Sequence, residues 1–592
     1  MNKSIKDSYP PDSQETIHQV TLDEEQTQAV QSTGHCLICA SPGSGKTTVL
    51  AHRSKYLLVT NPSAKILAVT FGRHAATELN QRILNLVPSA ASRIVCGTFH
   101  KMAKMQFNAA GMKTNIIYDI HRIELIQKIL LEFGLHHLSA EGVSDTIDYA
   151  KARGELHNFP SEVQPVFDRY TNLLKERELM DLQDLILRSV EGIKSDIVKP
   201  IKANFILVDE VQDADTNQWE WLTCHADQGC QITAVGDDDQ SIYAWRSAQG
   251  YPGMKAFSDR YQAKQIFLQS SYRCPQNILE KASRLVALNG SRFEKQTISR
   301  SQIRGEISLV ESLNSEDESK IITQQIIVDS KRGTCAILAR AGFALDEMEV
   351  ALTVAGVPHK RVDSKSLWDR PGAALFLSYL QGLDADKFDG LEPLLLESGC
   401  ILNNIDDLRR RCAANTSGSA TRFAHLQDVS ATKANKFIIM IQESFKKCRK
   451  LIKENNLSEM FFEAAATVKE ISSARELMVI TLCQELLAKL EGSLSHRLIF
   501  LRQKKKLEMA PVMLMTMHAS KGLEFDFVYI VGCHYSSFED RFRNIQEERR
   551  LWFVAMTRAR IKVTISNFHY ALRQTIQFVQ EMELQQGRPI FF

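Results

Sequence analysis

Apolar residues run along this chain in two rhythms. Short unbroken runs recur at Cys36-Leu37-Ile38-Cys39-Ala40, Phe205-Ile206-Leu207-Val208, Thr334-Cys335-Ala336-Ile337-Leu338-Ala339 and Phe527-Val528-Tyr529-Ile530-Val531. Such runs predict strands buried on both faces, as in a parallel sheet covered by helices. Elsewhere apolar residues return every three or four positions, as in Asp119–Leu131, and predict helices. That longer period fills the stretches 102–201 and 374–507. The pattern predicts an α/β chain with two parallel sheets, each interrupted by a mainly helical insertion. No apolar run approaches the ~18 residues that a membrane-spanning helix needs. Met1 to Gln19 is polar, contains Pro10-Pro11 and lacks the apolar stretch of a signal peptide, so residues 1–20 are expected to form a mobile leader on a cytoplasmic protein.

Length adds that there are several domains, because 592 residues exceed the roughly 250–300 that one core organises. The net charge of +2 gives no bulk argument for a nucleic-acid partner, so any such surface must be local. Twelve cysteines scattered through a long chain point to reduced thiols. Cys36 and Cys39 have metal-site spacing, but residues three apart on a strand face opposite ways and no second pair completes a site, so they are expected in the core.

The chemistry begins at Ala40-Ser41-Pro42-Gly43-Ser44-Gly45-Lys46-Thr47, between an apolar strand and the helical stretch Thr48–Leu58. Strand, glycine loop and helix form the setting of a phosphate-binding loop. Gly43 and Gly45 let backbone N–H groups turn inward, and the new helix adds the positive end of its dipole. Lys46 brings a charge for the β- and γ-phosphates, and the Thr47 hydroxyl is a ligand for Mg²⁺. The run Phe205–Val208 ends in Asp209-Glu210, which places the Mg²⁺ carboxylate, Asp209, and a candidate base for the attacking water, Glu210, at a sheet edge. Alone, the pair is an ordinary solvated turn; with the loop upstream it becomes the second half of a nucleoside-triphosphate-hydrolysing site of unknown purpose.

Further segments, in order, resemble the UvrD/Rep/PcrA group of superfamily 1 helicases along nearly the whole chain. They are Leu22–Val30, Ala68–Phe71 with Ala75–Leu79, Gly97–His100, Ala234–Arg246, Leu268–Arg273, Met515–Phe525 and Glu548–Ala559. The resemblance implies two RecA-like motor domains, ATP and Mg²⁺ as cofactors, and single-stranded DNA and its junctions with duplex as partner. It implies Gln26 as adenine reader, Tyr272 stacking on adenine, and Glu524 on the ribose. Gln240 would sense the γ-phosphate, and Arg273 and Arg558 would reach it as arginine fingers. Phe71, Tyr243 and Trp245 would stack on bases beside Arg246, while Thr70, Thr98, His100, Thr516 and His518 would hold the strand backbone. For an isolated aromatic, burial in the core is the competing explanation; for Arg558, a surface ion pair. Arg549 and Arg550 are expected to be scaffold.

The chain departs from the family where Thr48 replaces an arginine near the base, Gly72-Arg73-His74 replaces Thr-Asn-Lys, and Ser271 replaces an asparagine. The expected layout is 21–101 with 202–265 for the first motor domain and 266–373 with 508–592 for the second, with 102–201 and 374–507 as their insertions. Basic clusters at Arg409-Arg410-Arg411, Lys446–Lys450 and Lys504-Lys505-Lys506 are either solvated helix faces or duplex contacts. The expected function is an ATP-dependent 3′-to-5′ DNA helicase or translocase in repair, recombination or defence. The alternatives are a protein-stripping translocase and an ATP-switched subunit working with a partner nuclease or repair protein.

Overall fold

The computed structural model describes residues 21–156, 159–362, 366–414, 416–427, 435–474, 476–504, 510–533, 544–568 and 573–584. The expected leader and most of the Lys504–Lys506 cluster lie outside them.

Two six-stranded parallel sheets organise the molecule. The first contains β1 (Cys36–Ala40), β2 (Ile66–Thr70), β3 (Ile94–Thr98), β4 (Phe205–Val208), β5 (Gln231–Gly236) and β6 (Lys264–Leu268), in the order β3-β2-β4-β5-β1-β6. The second contains β7 (Glu306–Ser312), β8 (Cys335–Ala339), β9 (His359–Arg361), β10 (Val512–Thr516), β11 (Phe525–Val531) and β12 (Ala559–Phe568), in the order β7-β12-β11-β8-β10-β9. The apolar runs of the sequence are buried on both faces because helices cover both sides. Leu37, Cys39, Leu67 and Val69 join one core, and Cys36, Ile38, Ile66 and Ala68 join another on the opposite face. Cys36 and Cys39 therefore sit back to back, buried, among small core side chains.

Helix starts follow their caps. Asp23 caps α1 (Glu24–Gln31) in a reciprocal box with Gln26. Next come α2 (Lys46–Thr60), α3 (Arg73–Leu86) and α4 (Phe99–Ala109). The first insertion packs helices Asp119–Glu132, Ala140–Arg153 and Val163–Glu176 around Ile126, Ile147, Phe167 and Tyr170. Its neck is a two-residue parallel pairing of Asn115–Ile116 with Leu179–Met180. Two flanking helices that the sequence groups partly or wholly with this insertion belong to the first sheet instead. The helix α4 and the helix Leu182–Lys194 bury Met102, Phe107, Leu185 and Ile186 in the first motor core. The second insertion, from helix Pro371–Ala385 onward, surrounds a separate core that includes Phe376, Phe423, Phe461 and Leu486.

The expected change of domain at 265/266 falls inside β6. That strand pairs with β1 from Cys36↔Lys264 to Ala40↔Leu268, so the chain leaves the first sheet only after Leu268. It then crosses between the halves three times. Helix Gln276–Ala287 buries Ile278, Leu279 and Leu285 in the second core. The chain then returns, and Phe293 packs in the first core. It crosses again to enter β7.

Candidate functional site

The loop after β1 is shaped for an anion. Gly43 and Gly45 have φ of +71° and +79°, left-handed conformations that glycine adopts without a Cβ clash. A Cβ on Gly43 would also lie 2.6 Å from the Cβ of Arg273. The helix α2 starts without a side-chain cap, and the N–H groups of Gly43, Gly45, Lys46 and Thr47 donate to no acceptor among the described residues. Unpaired N–H groups at a helix start suit phosphate. Neighbouring segments hold the loop from outside. Ser271 Oγ donates to Pro42 O (2.6 Å), Tyr272 N–H to Gly43 O (2.9 Å), and Gln26 Nε2 to Ser44 O (3.0 Å). Ser41 N–H reaches Leu268 O at 2.9 Å, and Ser44 Oγ is buried with no hydrogen-bond partner among the described residues. Ala40 is fully buried at the end of β1, and Thr48 lies in the first turn of α2.

At the end of β4, Asp209 is buried and Glu210 takes φ +52°, a strained conformation for a residue with a Cβ. The strain aims the Glu210 carboxylate at Lys46, whose Nζ lies 2.8 Å away. Burial opposes the Lys46 charge, but Glu210, Asp209 and Asp237 outweigh it and hold its pKa above the usual lysine range. Burial also acts on the two carboxyls, and the pair splits. Burial and the Glu210 charge raise Asp209, while Lys46 and Lys521 overcome burial and lower Glu210. The ionised, partly exposed Glu210 is therefore the candidate base. The Thr47 hydroxyl and the Asp209 carboxylate are hard oxygen donors of the kind Mg²⁺ takes, so the residues fit that ion.

From Glu210 a hydrogen-bonded chain crosses to the second sheet. Gln212 Nε2 donates to Glu210 Oε2 (2.6 Å), and Asp237 N–H donates to Gln212 Oε1 (3.0 Å). Gln240 Nε2 donates to Asp237 Oδ2 (2.5 Å), and Arg558 Nη2 donates to Gln240 Oε1 (3.1 Å). Arg558 is 2% exposed, and its other bonds go to the carbonyls of Val554 and Leu523 and to Thr557 Oγ1. Burial and the nearby Arg273 charge push its pKa down. A buried guanidinium with no carboxylate in ion-pair range among the described residues is a docking point for an anion. Arg273 instead rests on Glu524, with Nε 2.5 Å from Oε2, and Glu524 also pairs with Arg560. The expected finger and the expected ribose acceptor are thus joined to each other.

The adenine residues gather beside the loop. Tyr272 is half exposed, with Oη donating to Asp23 Oδ2 (2.5 Å). The Gln26 amide already has partners at both ends: Nε2 on Ser44 O, and Oε1 accepting from Asp23 N–H (3.2 Å).

The residues expected to meet a strand divide into two kinds. Phe71 and Trp245 are exposed, at 36% and 56%. Arg246 lies over the rings of Trp245 and Tyr243, with centroids 4.5 and 5.9 Å away, and Tyr243 meets His518 at 6.1 Å. Thr70 is buried and donates to Gly72 O, Thr98 caps α4 by accepting from Lys101 N–H, and Thr516 Oγ1 accepts from Ala519 N–H. These three threonines shape their turns. His100 is half-buried, and burial together with the Arg73 charge lowers its pKa.

Several working residues carried no separate sequence signal. Lys521 bridges the sheets, with Nζ 2.6 Å from Asp213 Oδ2 and 2.8 Å from Gln240 O. It lies within the segment Met515–Phe525, where nothing in the sequence sets it apart from any other lysine. Lys295 lies 1% exposed among Asp237, Asp238 and Asp239 at 2.5, 2.8 and 3.2 Å, and Arg292 forks onto Asp239. That acidic triplet has the spacing of a metal site, and an ammonium fills it. The expected scaffold arginines hold Glu581 (Arg549) and Ser291 O (Arg550). The basic clusters of the second insertion are largely neutralised. Arg409 pairs with Glu392, Arg410 and Arg411 with Asp407, Lys447 with Glu463, and Arg449 with Asp386.

Two family models of known proteins match the chain. Residues 22–262 match the UvrD/REP helicase N-terminal domain, and residues 266–391 with 408–570 match the UvrD-like helicase C-terminal domain. DNA helicase II of Escherichia coli is 27% identical over 92% of this chain and 84% of its own length. ATP-dependent DNA helicase Rep of the same species is 28% identical over 92% and 90%, and ATP-dependent DNA helicase PcrA of Staphylococcus epidermidis is 28% identical over 92% and 83%.

Proposed function

The chain belongs to the UvrD/Rep helicase family, and on that premise we propose that it is a 3′-to-5′ motor that steps along single-stranded DNA and separates duplex ahead of it. It is an ATP-dependent DNA helicase. The observation that carries the stepping reading is the continuous chain Lys46–Glu210–Gln212–Asp237–Gln240–Arg558, which joins the phosphate loop to the opposite sheet.

In this reading the N–H groups of Gly43, Gly45, Lys46 and Thr47 cradle the phosphates, with Ser41, Pro42 and Ser44 setting the loop's shape. Lys46 leaves Glu210 for the β- and γ-phosphates, and Glu210 orients the attacking water. Thr47 and Asp209 would hold Mg²⁺, which neutralises charge on the phosphate oxygens. Arg558 and Arg273 stabilise the charge that develops on the γ-phosphoryl group, Arg273 after Glu524 exchanges it for the ribose. Because both arginines come from the second half, hydrolysis requires the cleft to close. Tyr272 and Gln26 frame the adenine. Phe71, Tyr243 and Trp245 take bases by stacking, which tolerates any sequence. The described residues of 21–109 with 182–268 form the first motor and those of 269–370 with 510–584 the second, with the insertions reaching toward the junction with duplex.

The test is ATP hydrolysis with and without a single-stranded oligonucleotide, in wild type and Lys46→Ala. Strong stimulation by the strand, lost in the variant, is expected. High turnover that ignores the strand would overturn the motor reading.

A further inference from the structure

Two arginines share one carboxylate beside the nucleotide site. Glu524 Oε2 takes Arg273 Nε at 2.5 Å, and its other oxygen, Oε1, takes Nη2 of Arg560. Arg273 comes from the side of the phosphate loop, its stem packed so closely on Gly43 that a Cβ there would lie 2.6 Å from its own. Arg560 comes from the second sheet, at the start of β12 and one residue beyond the segment Glu548–Ala559.

A β-bulge aims Arg560. The register between β11 and β12 passes from Phe525↔Ala559 to Phe527↔Lys562, so Arg560 and Ile561 together face Asp526. Strict alternation would put Ile561 on the face of Ala559 and Val563. Those two join one core, and Ile561 packs against the core on the opposite face. The extra residue of a bulge bends its strand and re-aims the side chains beside it. In this strand it turns Arg560 toward the segment Glu524–Asp526, with Nη1 3.9 Å from Asp526 Oδ1. Asp526 is itself fixed to Thr334 at the foot of β8, Oδ2 accepting from the Thr334 N–H (2.8 Å) and hydroxyl (3.0 Å).

The two guanidiniums have different tasks. Arg273 must leave Glu524 to reach a phosphate, and a half-buried carboxylate losing its only cation would hold that finger back. Arg560 removes the obstacle, because it stays on Oε1 and keeps the charge paired. The like charges also repel: burial and the Arg273 charge lower the pKa of Arg560. Release of Arg273 relieves that repulsion and frees Oε2 alone.

We propose that Arg560 is a positioning residue for the nucleotide. It anchors Oε1 of Glu524 while Arg273 swings to the γ-phosphate, so that Oε2 meets a ribose hydroxyl in a fixed direction. The departing finger and the arriving sugar exchange at one oxygen, which ties release of Arg273 to a correctly seated ribose. The proposal rests on the ribose reading of Glu524 above and adds the group that makes the exchange possible.

The experiment compares kcat/KM for ATP with kcat/KM for 2′-deoxy-ATP and 3′-deoxy-ATP, in steady state with saturating single-stranded oligonucleotide. The analogue that wild type uses less well reports the hydroxyl on Glu524. A hydrogen bond to a charged group sets the scale, so wild type should prefer ATP over that analogue by roughly ten-fold or more. Arg560→Ala should cut the preference about three- to five-fold, the scale of one partly exposed ion pair, and Arg560→Lys should keep most of it. Added to Glu524→Gln, Arg560→Ala should change the preference no further. The preference is a ratio within one protein, so a partly unfolded preparation lowers both rates and leaves it unchanged. Equal losses on ATP and analogue in Arg560→Ala, with the preference abolished in Glu524→Gln, overturn the role of Arg560 alone. A wild type without preference, or Glu524→Gln with the preference intact, overturns the ribose reading as well.

Discussion

Gln212 serves two masters: its Nε2 holds Glu210, and its Oε1 accepts from the Asp237 N–H. Replacing it with leucine keeps the volume and removes both bonds. Hydrogen bonds to charged groups contribute about 1.5–3 kcal/mol, so Gln212→Leu should lower kcat of ATP hydrolysis by about 10- to 100-fold with a smaller change in KM, read in a steady-state assay. His225 is a second residue whose bonds fix its state. Its Nε2 accepts from the Ile201 N–H at 3.1 Å, and its Nδ1 donates to Trp221 O at 2.7 Å, so the neutral ring is required. Burial lowers its pKa from 6.5 to about 4. The unfolded chain takes up this proton first as pH falls, so stability should be lost between pH 6.5 and about 4, by about 3 kcal/mol at most. Urea midpoints across that window should fall more steeply for wild type than for His225→Gln. Sequence could name Glu210 because a strand and two acids announce it, but Gln212 and His225 owe their roles to partners far away in the chain.

Elements explain what remained hidden. The strands and the phosphate loop were legible because apolar runs and glycine spacing are local signals. The helix Leu182–Lys194 was not assignable, since its period is helical whether it packs on an insertion or on the first sheet. Lys295 is the extreme case: it lies on a connecting segment with no regular period, and only the fold brings three aspartates to it. Lys295→Met leaves those carboxylates uncompensated in the interior. Denaturant unfolding should show a loss of about 3–5 kcal/mol, the scale on which a buried ion pair fails when one partner is removed. At the loop, Gly43→Ala meets both a left-handed φ and the Arg273 stem. The expected result is loss of the DNA-stimulated ATPase rather than unfolding, checked by comparing turnover with the urea midpoint.

Across the whole molecule, the two sheets meet through a few polar contacts and one loop. Ile242 of that loop packs in the second core, while Ala244 N–H donates to Glu547 Oε1 (3.1 Å). Lys521 and Asp213 form the buried ion pair of this interface. Lys521→Ala should reduce the ratio of strand-stimulated to unstimulated hydrolysis by about ten-fold, because Gln240 and the carboxylate loop lose their tie to the second half. The second insertion meets its motor at a different place, where Val350 of helix Asp346–Val354 packs into the insertion's core.

The three crossings between residues 268 and 306 have a practical consequence for anyone wishing to divide the protein. A break before helix Gln276–Ala287 leaves the segment that carries Phe293 and Lys295 attached to the wrong half, and a break after it leaves the helix itself there. No single scission yields two fragments that each own their core, so the halves are topologically buckled. Split versions made at this junction should complement poorly, whereas a cut at the neck near Asn115 or Met180 should be tolerated.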